Sequence, residues 1–205
     1  MTLPSNTFRR LPAYLHYLKR LPQSQTNISA TTIAVALELG EVQVRKDLSS
    51  VSGAGRPRTG YDRLELIRTL EGALGYSQIK KAVIIGAGKL GEALMCYGGF
   101  FDYGLDIIAA FDIKPDTKSV NGKPVYNLDE FTKFCKEENV KIGIITVPAE
   151  HAQETCDLMC DGGIKGIWNF APIHLNVPNG ILVQEENMAS SLAMLSNQLQ
   201  SVLNK

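Results

Sequence analysis

Six consecutive residues have the types and spacing to hold a charged ligand. Gly86-Ala87-Gly88-Lys89-Leu90-Gly91 follows the apolar run Ala82, Val83, Ile84, Ile85 and opens what reads as a helix. Gly86 permits a tight strand-to-helix turn, Gly88 lets backbone approach a pyrophosphate, and Gly91 lets the helix pack close to the strand. Unpaired N–H groups at the helix start, and its dipole, favour an anion there. Glycine-rich turns also arise for conformational reasons alone. A second apolar run, Leu105 to Phe111, ends in Asp112, about 21 residues beyond Gly91. The dinucleotide fingerprint places there the acid that accepts hydrogen bonds from the adenosine ribose hydroxyls.

These residues need a parallel sheet to position them, and the chain from Lys81 onward supplies its pattern of strands alternating with helices. Asn121-Gly122 marks a turn, Pro124 to Tyr126 a short strand and Leu128 to Glu138 a helix. The isoleucine-rich run Lys141 to Val147, ending at Pro148, is expected to be a buried central strand whose C-terminal end, Thr146-Val147-Pro148, borders the ligand crevice. A helix from about Glu150 to Asp161 leads to a strand, Ile164 to Trp168, and to Asn169-Phe170-Ala171-Pro172. Asn169 is suited to bond a carboxamide and Phe170 to stack on a flat ring; the alternative is a strand end turning at a proline. After a strand at Ile181 to Val183, a last helix carries the stripe Met188, Leu192, Leu195, Leu199, Val202, expected to pack on another subunit or on the first domain.

The first 80 residues are built differently. They hold 11 Lys plus Arg against 6 Asp plus Glu, whereas residues 81–205 hold 10 against 15, so a net charge of zero conceals a basic third joined to an acidic remainder. That asymmetry points to two domains, the first facing a polyanion. Phe8, Leu11, Leu15, Leu18 and Leu21 mark an amphipathic helix, with Arg9, Arg10, Lys19 and Arg20 beside the stripe; Pro12 must kink it or lie in its first turn. Ser29 caps a helix from Ala30 to Leu39, which Gly40 is expected to end in a left-handed conformation. A third helix, Val42 to Val51, buries Val44, Leu48 and Val51 and leaves Gln43, Arg45, Lys46, Ser49 and Ser50 around the rest. The pair reads as a helix-turn-helix, in which Gln and Arg suit base edges and Lys suits phosphates. Gly53 to Tyr61, with Arg56 and Arg58 at its tip, reads as a wing. Asp62 and Glu65 form a capping pair for a helix through Leu64, Ile67, Leu70 and Leu74, closed by Gly75, and the domain boundary falls at Tyr76 to Lys80.

Composition is that of an ordinary globular protein, with no run of 18 apolar residues and no apolar core in Met1 to Arg10, so a soluble cytosolic protein is expected. Cys96, Cys135, Cys156 and Cys160 have neither disulfide density nor Cys-x-x-Cys spacing, and thiols are expected rather than a metal site.

With these segments in place, the chain resembles the Rex family of bacterial redox-sensing repressors. The resemblance is carried by Arg10-Leu11-Pro12 with Tyr14 and Tyr17, Gln43 to Ser49, Gly60-Tyr61, Gly86 to Gly91, Phe111-Asp112, Thr146-Val147-Pro148, and Gly163 to Gly166 running into Asn169-Phe170-Ala171-Pro172. It implies an α/β architecture: a winged helix-turn-helix domain over 1–80, an NAD-binding Rossmann domain over 81–184, and a C-terminal dimerisation helix over 185–205, swapped between subunits. It implies a cytoplasmic homodimer, not an enzyme, in which NADH and NAD+ compete as the sensed ligand and NADH releases inverted-repeat operators on double-stranded DNA. The implied ligand residues are Gly86, Ala87, Gly88, Lys89, Leu90, Gly91, Tyr97, Asp112, Thr146, Val147, Pro148, Asn169 and Phe170. The implied DNA residues are Arg10, Gln43, Arg45, Lys46, Ser49, Arg56 and Arg58.

Departures accompany the resemblance. His16 and Asn187 stand where the family pairs a basic side chain with an aspartate, Ser50 and Val51 replace an aromatic pair, and Pro57 and Arg58 stand where Arg and Gly are usual. Lys114 replaces a second acid after Asp112, which is expected to weaken discrimination against a 2′-phosphate. Two rivals remain at this level. A dehydrogenase would need a proton-transfer group, for which His151 is the candidate among His16, His151 and His174. A coenzyme A module is suggested by the likeness of Ile142 to Pro172 to the CoA-binding domain of succinyl-CoA synthetases, although Asp112 favours a free ribose diol.

Overall fold

In a computed structural model, the described residues are 4–76, 78–115 and 119–203. The chain divides into two compact units, Met1–Gln78 and Ile79–Lys205. The expected boundary, Tyr76 to Lys80, includes Ser77, which lies outside the described residues.

The first unit consists of α1 (Ser5–Arg20), β1 (Asn27–Ile28), α2 (Ala30–Ala36), α3 (Glu41–Ser52), β2 (Tyr61–Asp62) and α4 (Arg63–Leu74). Its core joins Leu11, Leu15 and Leu18 of α1 to Ile33, Val44, Leu48, Leu66 and Leu70, the apolar faces the periodicity indicated. Pro12 lies inside α1, past its first turn, and removes the N–H that would bond the Phe8 carbonyl. The Arg63 guanidinium, buried behind that helix, donates to the carbonyls of Leu18 and Leu21 at its C-terminal end, adding to the bond Leu18 already accepts from Leu21 N–H. β1 and β2 pair antiparallel, and the Arg56–Gly60 bridge closes the wing above them.

The turn between α2 and α3 corrects one expectation. The left-handed residue is Glu38 (φ 54), while Gly40, at φ −68, caps α3. Leu39 N–H bonds the Ala34 carbonyl and Glu38 N–H the Val35 carbonyl, so α2 stops three residues earlier than expected.

The second unit contains β3 (Lys80–Ile85), α5 (Lys89–Cys96), β4 (Leu105–Asp112), β5 (Ser119–Val120), β6 (Lys123–Asn127), α6 (Phe131–Glu137), β7 (Ile142–Ile145), α7 (Ala149–Asp161), β8 (Gly166–Asn169), β9 (Leu182–Glu185) and α8 (Met188–Leu203). The sheet order is β5-β6-β4-β3-β7-β8-β9, parallel except for the β5–β6 hairpin. Alternation along β3 sends Val83 and Ile85 to the face covered by Phe131, Cys156 and Met159, and Ala82 and Ile84 to the face covered by Leu94 and Met95 of α5. Strand order reverses at β3, whose neighbours β4 and β7 lie on opposite sides; that is where such sheets open a crevice at their C-terminal ends. The stripe Met188, Leu192, Leu195, Leu199 and Val202 of α8 stays 55–68% exposed, because nothing among the described residues covers it. No helix of the described residues is long and apolar enough to cross a membrane.

Candidate nucleotide crevice and nucleic-acid interface

The glycine turn separates glycines that the fold needs from one it does not. Gly86 adopts φ 103, and a Cβ there would stand 2.9 Å from the carbonyl carbon and hydroxyl oxygen of Thr146. A Cβ on Gly91 would overlap the Gly86 carbonyl oxygen. On Gly88 it would meet no protein atom within 4 Å, so the N-terminus of α5 faces open space at the residue where fingerprint chemistry needs backbone to approach phosphate. Thr146 explains its own place in the set: its hydroxyl donates to the Gly86 carbonyl at 2.7 Å and pins the turn to β7.

Asp112, at the end of β4, accepts from Ala87 N–H at 2.8 Å and from Lys114 N–H at 3.0 Å. A carboxylate offers about four acceptor sites, so two backbone donors leave it capacity for ribose hydroxyls. Between these parts lies a cavity of about 760 Å³, bounded by Gly86, Gly88, Asp112 and Thr146-Val147-Pro148 on the turn side and by His151, Glu154, Thr155 and Leu158 of α7 on the other. Both its volume and its mainly apolar walls suit an adenosine. The α7 wall was not anticipated, although 151, 154, 155 and 158 are the helical stripe directly following Pro148.

Seven expected ligand residues do not line that cavity: Ala87, Lys89, Leu90, Gly91, Tyr97, Asn169 and Phe170. Asn169 is fully buried and its amide is consumed locally: Nδ2 donates to the Ala171 and Ile173 carbonyls, and Oδ1 accepts from Ala171 N–H. Its reading as a carboxamide partner is corrected to that of a turn-forming side chain. Tyr97 and Phe170 belong instead to an aromatic chain on the α5 face, Tyr97–Phe100–Trp168–Phe170, with centroid spacings of 5.0, 5.9 and 4.4 Å. Ala87, Lys89 and Leu90 form the turn and the first turn of α5.

In the first unit, Gln43, Arg45, Lys46 and Ser49 lie exposed on α3, and Arg56 and Arg58 lie exposed on the wing, with Arg58 at φ 69 on its tip. Arg45 pairs with Glu41 one turn back. Arg10 is placed otherwise than expected. Its guanidinium grips Asp47 in two parallel bonds, Nε to Oδ2 at 2.7 Å and Nη2 to Oδ1 at 2.9 Å, so it joins α1 to α3 rather than standing open. Thr7, Tyr14 and Gln43 also donate to that carboxylate, which is 1% exposed. Burial opposes the charged form of Asp47, but the bonds from Arg10, Tyr14, Thr7 and Gln43 outweigh it and hold the carboxyl below its ordinary value. Burial first, then Asp47, pushes the Tyr14 phenol up to about 12. Sequence reasoning missed this network, although an acid set beside the apolar positions Val44 and Leu48 of α3 was its signal.

Residues 77–173 match the family model described as CoA binding domain, and residues 2–49 match that of a putative DNA-binding protein N-terminus. A curated relative from Bacteroides thetaiotaomicron, named redox-sensing transcriptional repressor Rex, is 43% identical over 200 residues, 96% of this chain and 91% of its own. Its counterpart of the same name from Treponema denticola is 45% identical over 190 residues, covering 91% and 90%. The chain belongs to the Rex family. Among solved structures, the Rex-family repressor RSP in complex with β-NAD+ and operator DNA superimposes with a TM-score of 0.89 at 31% identity, covering 98% of this chain and 94% of RSP. The RSP complex with β-NADH gives 0.83, covering 98% and 96%. As a Rex chain this is a redox-sensing transcriptional regulator and not an enzyme, which removes the dehydrogenase reading of His151. His16 lies exposed beside Arg20, and Asn187 caps α8 by accepting from Ser190 N–H at 2.8 Å.

Proposed function

We propose that this Rex chain acts as a cytoplasmic homodimer that represses transcription by binding inverted-repeat operators and is released when NADH displaces NAD+. The observation that carries the ligand half is the open face of Gly88 beside an Asp112 carboxylate with spare acceptor capacity. In this reading the α5 N-terminus holds the pyrophosphate, Asp112 the adenosine ribose, and Tyr97 or Phe170 the nicotinamide end. Operator contacts fall to Gln43, Arg45, Lys46 and Ser49 on α3 and to Arg56 and Arg58 on the wing, with Arg10 acting through Asp47. The domain limits follow: 1–80 for DNA, 81–184 for the dinucleotide, and 185–205 for dimerisation, the exposed α8 stripe being exchanged between subunits. Since NADH shifts DNA affinity only by its differential affinity for two dimer states, it must favour the state with low operator affinity more strongly than NAD+ does.

The test is operator binding by fluorescence anisotropy at stated salt, on a Rex inverted repeat and a scrambled duplex, titrated with NADH and separately with NAD+. Specific binding reversed by NADH is expected. Specific binding indifferent to NADH would overturn the redox half, and His16→Arg with Asn187→Asp would then be the pair to restore it. The match to a CoA binding domain favours one rival ligand. A thermal-shift panel of NADH, NAD+, NADPH and CoA separates them, and stabilisation by CoA alone would overturn the dinucleotide assignment.

A further inference from the structure

We propose that Asp47 is a positioning residue that locks the Gln43 amide in one orientation, making Gln43 the reader of an adenine in an A·T pair of the bound DNA. The inference rests on the DNA-binding reading above and deepens it.

The Asp47 carboxylate is an acceptor only and receives five hydrogen bonds: three at Oδ1, from Thr7, Arg10 and Gln43, and two at Oδ2, from Arg10 and Tyr14. An oxygen turned toward it would meet a saturated anion, so the side of Gln43 that faces Asp47 must be its nitrogen, which donates to Oδ1 at 3.0 Å. That choice decides what faces outward. Gln43 is exposed in the first turn of α3, the part of a recognition helix that meets base edges. It is left with its carbonyl oxygen and one N–H, an acceptor beside a donor. Adenine offers the complementary pair in the major groove, the N6 amino donor and the N7 acceptor, whereas guanine offers two acceptors. An amide free to rotate could instead point its NH2 group, with two donors, at the two acceptors of guanine. Four of the five donors to Asp47 lie on α1, 33 to 40 residues away, so the frame that fixes Gln43 is the packing of α1 on α3.

The experiment uses the full chain and the duplex that it selects from a random-sequence pool. Each base pair of one half-site is replaced in turn by the other three, and affinity is read by anisotropy for wild type, Gln43→Ala and Asp47→Asn. Wild type is expected to show one position where losing A·T costs about 5- to 150-fold, the range of one two-bond base contact. In Gln43→Ala that preference collapses at that position alone, with the salt dependence of binding unchanged because no charge is removed. In Asp47→Asn it shrinks toward indifference at the same position, an effect that general loosening would not confine to one base pair. Gln43→Ala leaves four donors on Asp47 and removes an exposed side chain, so it folds whatever Asp47→Asn does. If Gln43→Ala weakened binding evenly across the half-site, or left every preference intact, the inference would be overturned while the proposed function stood. Loss of the preference in Gln43→Ala with full retention in a folded Asp47→Asn would overturn the role of Asp47. A wild-type protein that selected no sequence would overturn both this inference and the DNA-binding reading.

Discussion

Asp47 and Asp112 are the same side chain set to opposite work by what surrounds it. Among the described residues, Asp47 sits inside the first unit with five donors on two oxygens, and Asp112 sits at the rim of the second unit's crevice with two. The first has spent its acceptors on the protein and can only hold helices in place. The second has kept part of its capacity for a ligand. Which role an acid plays is therefore read from the donors already on it, rather than from its presence in a motif.

The largest consequence is in stability. Asp47→Ala leaves Arg10, Tyr14 and Thr7 without their shared acceptor; Arg10 is partly exposed, and each hydrogen bond to the charge that finds no replacement costs about 1.5–3 kcal/mol. Asp112→Ala frees two N–H groups at the edge of a cavity open to water, a loss of about 1 kcal/mol. Urea unfolding of the full chain, followed by far-UV circular dichroism, is expected to show the first variant losing an early transition and the second resembling wild type. Equal losses would erase the contrast.

Ligand affinity reverses the order. In the proposed reading Asp112→Ala removes hydrogen bonding to a ribose hydroxyl, and one such charge-assisted bond is worth about 1.5–3 kcal/mol, so NADH binding measured by calorimetry should weaken roughly 10- to 150-fold or more. Asp47→Asn, conservative enough to fold, should leave it unchanged. Gly88→Ala sharpens the point, since its added methyl meets no protein atom within 4 Å. That variant should melt like wild type and bind NADH more weakly by about 1–3 kcal/mol, the usual cost of overpacking.

Legibility in the sequence followed the range of the interaction that sets each feature. The glycine turn, Asp112 and the parallel sheet were readable because a strand, three glycines and an acid report local geometry. The α8 stripe was readable for the same reason. Glu38 was not, because Gly40 is the residue a propensity argument selects for a left-handed cap, yet the chain turns two residues earlier and accepts an unfavourable φ in glutamate. The Asp47 network was hidden because its α1 donors are 33 to 40 residues distant, so Arg10 read as an outward-facing side chain. Asn169 was misread because its partners, Ala171 and Ile173, are backbone atoms that carry no residue-type signal. The register shift of β3 on β4 between Ala82 and Val83 likewise leaves no mark in a run of apolar residues.

Acid separates the units again, by a smaller amount than Asp47→Ala because protonation leaves the side chain in place. The folded Asp47 carboxyl is held below 3.8, the value it takes when exposed, so the unfolded chain takes up its proton first. The stabilisation is present above that value and is lost as pH falls through it toward the folded value. Urea midpoints between pH 6 and 3 should therefore fall for the first transition in wild type and fall less in Asp47→Asn. The alkaline limb does not discriminate. Tyr14, raised to about 12, loses its contribution between 10 and 12, but burial also raises Cys135 to about 11 and Cys156 to about 12 in the second unit.

The smallest effect tests how far Asp112 alone sets the choice of ligand. Lys114 donates its backbone N–H to Asp112, and its side chain is exposed. A cation there offers a 2′-phosphate partial compensation for the repulsion that Asp112 imposes. Exposed charge pairs are worth at most about 1 kcal/mol and weaken with salt. Lys114→Glu should therefore raise the preference for NADH over NADPH only a few-fold at low ionic strength, and the gain should shrink as salt is added. A change of tenfold or more that persisted in high salt would mean that Lys114 contacts the ligand directly, and that selectivity belongs to the pair rather than to Asp112 alone.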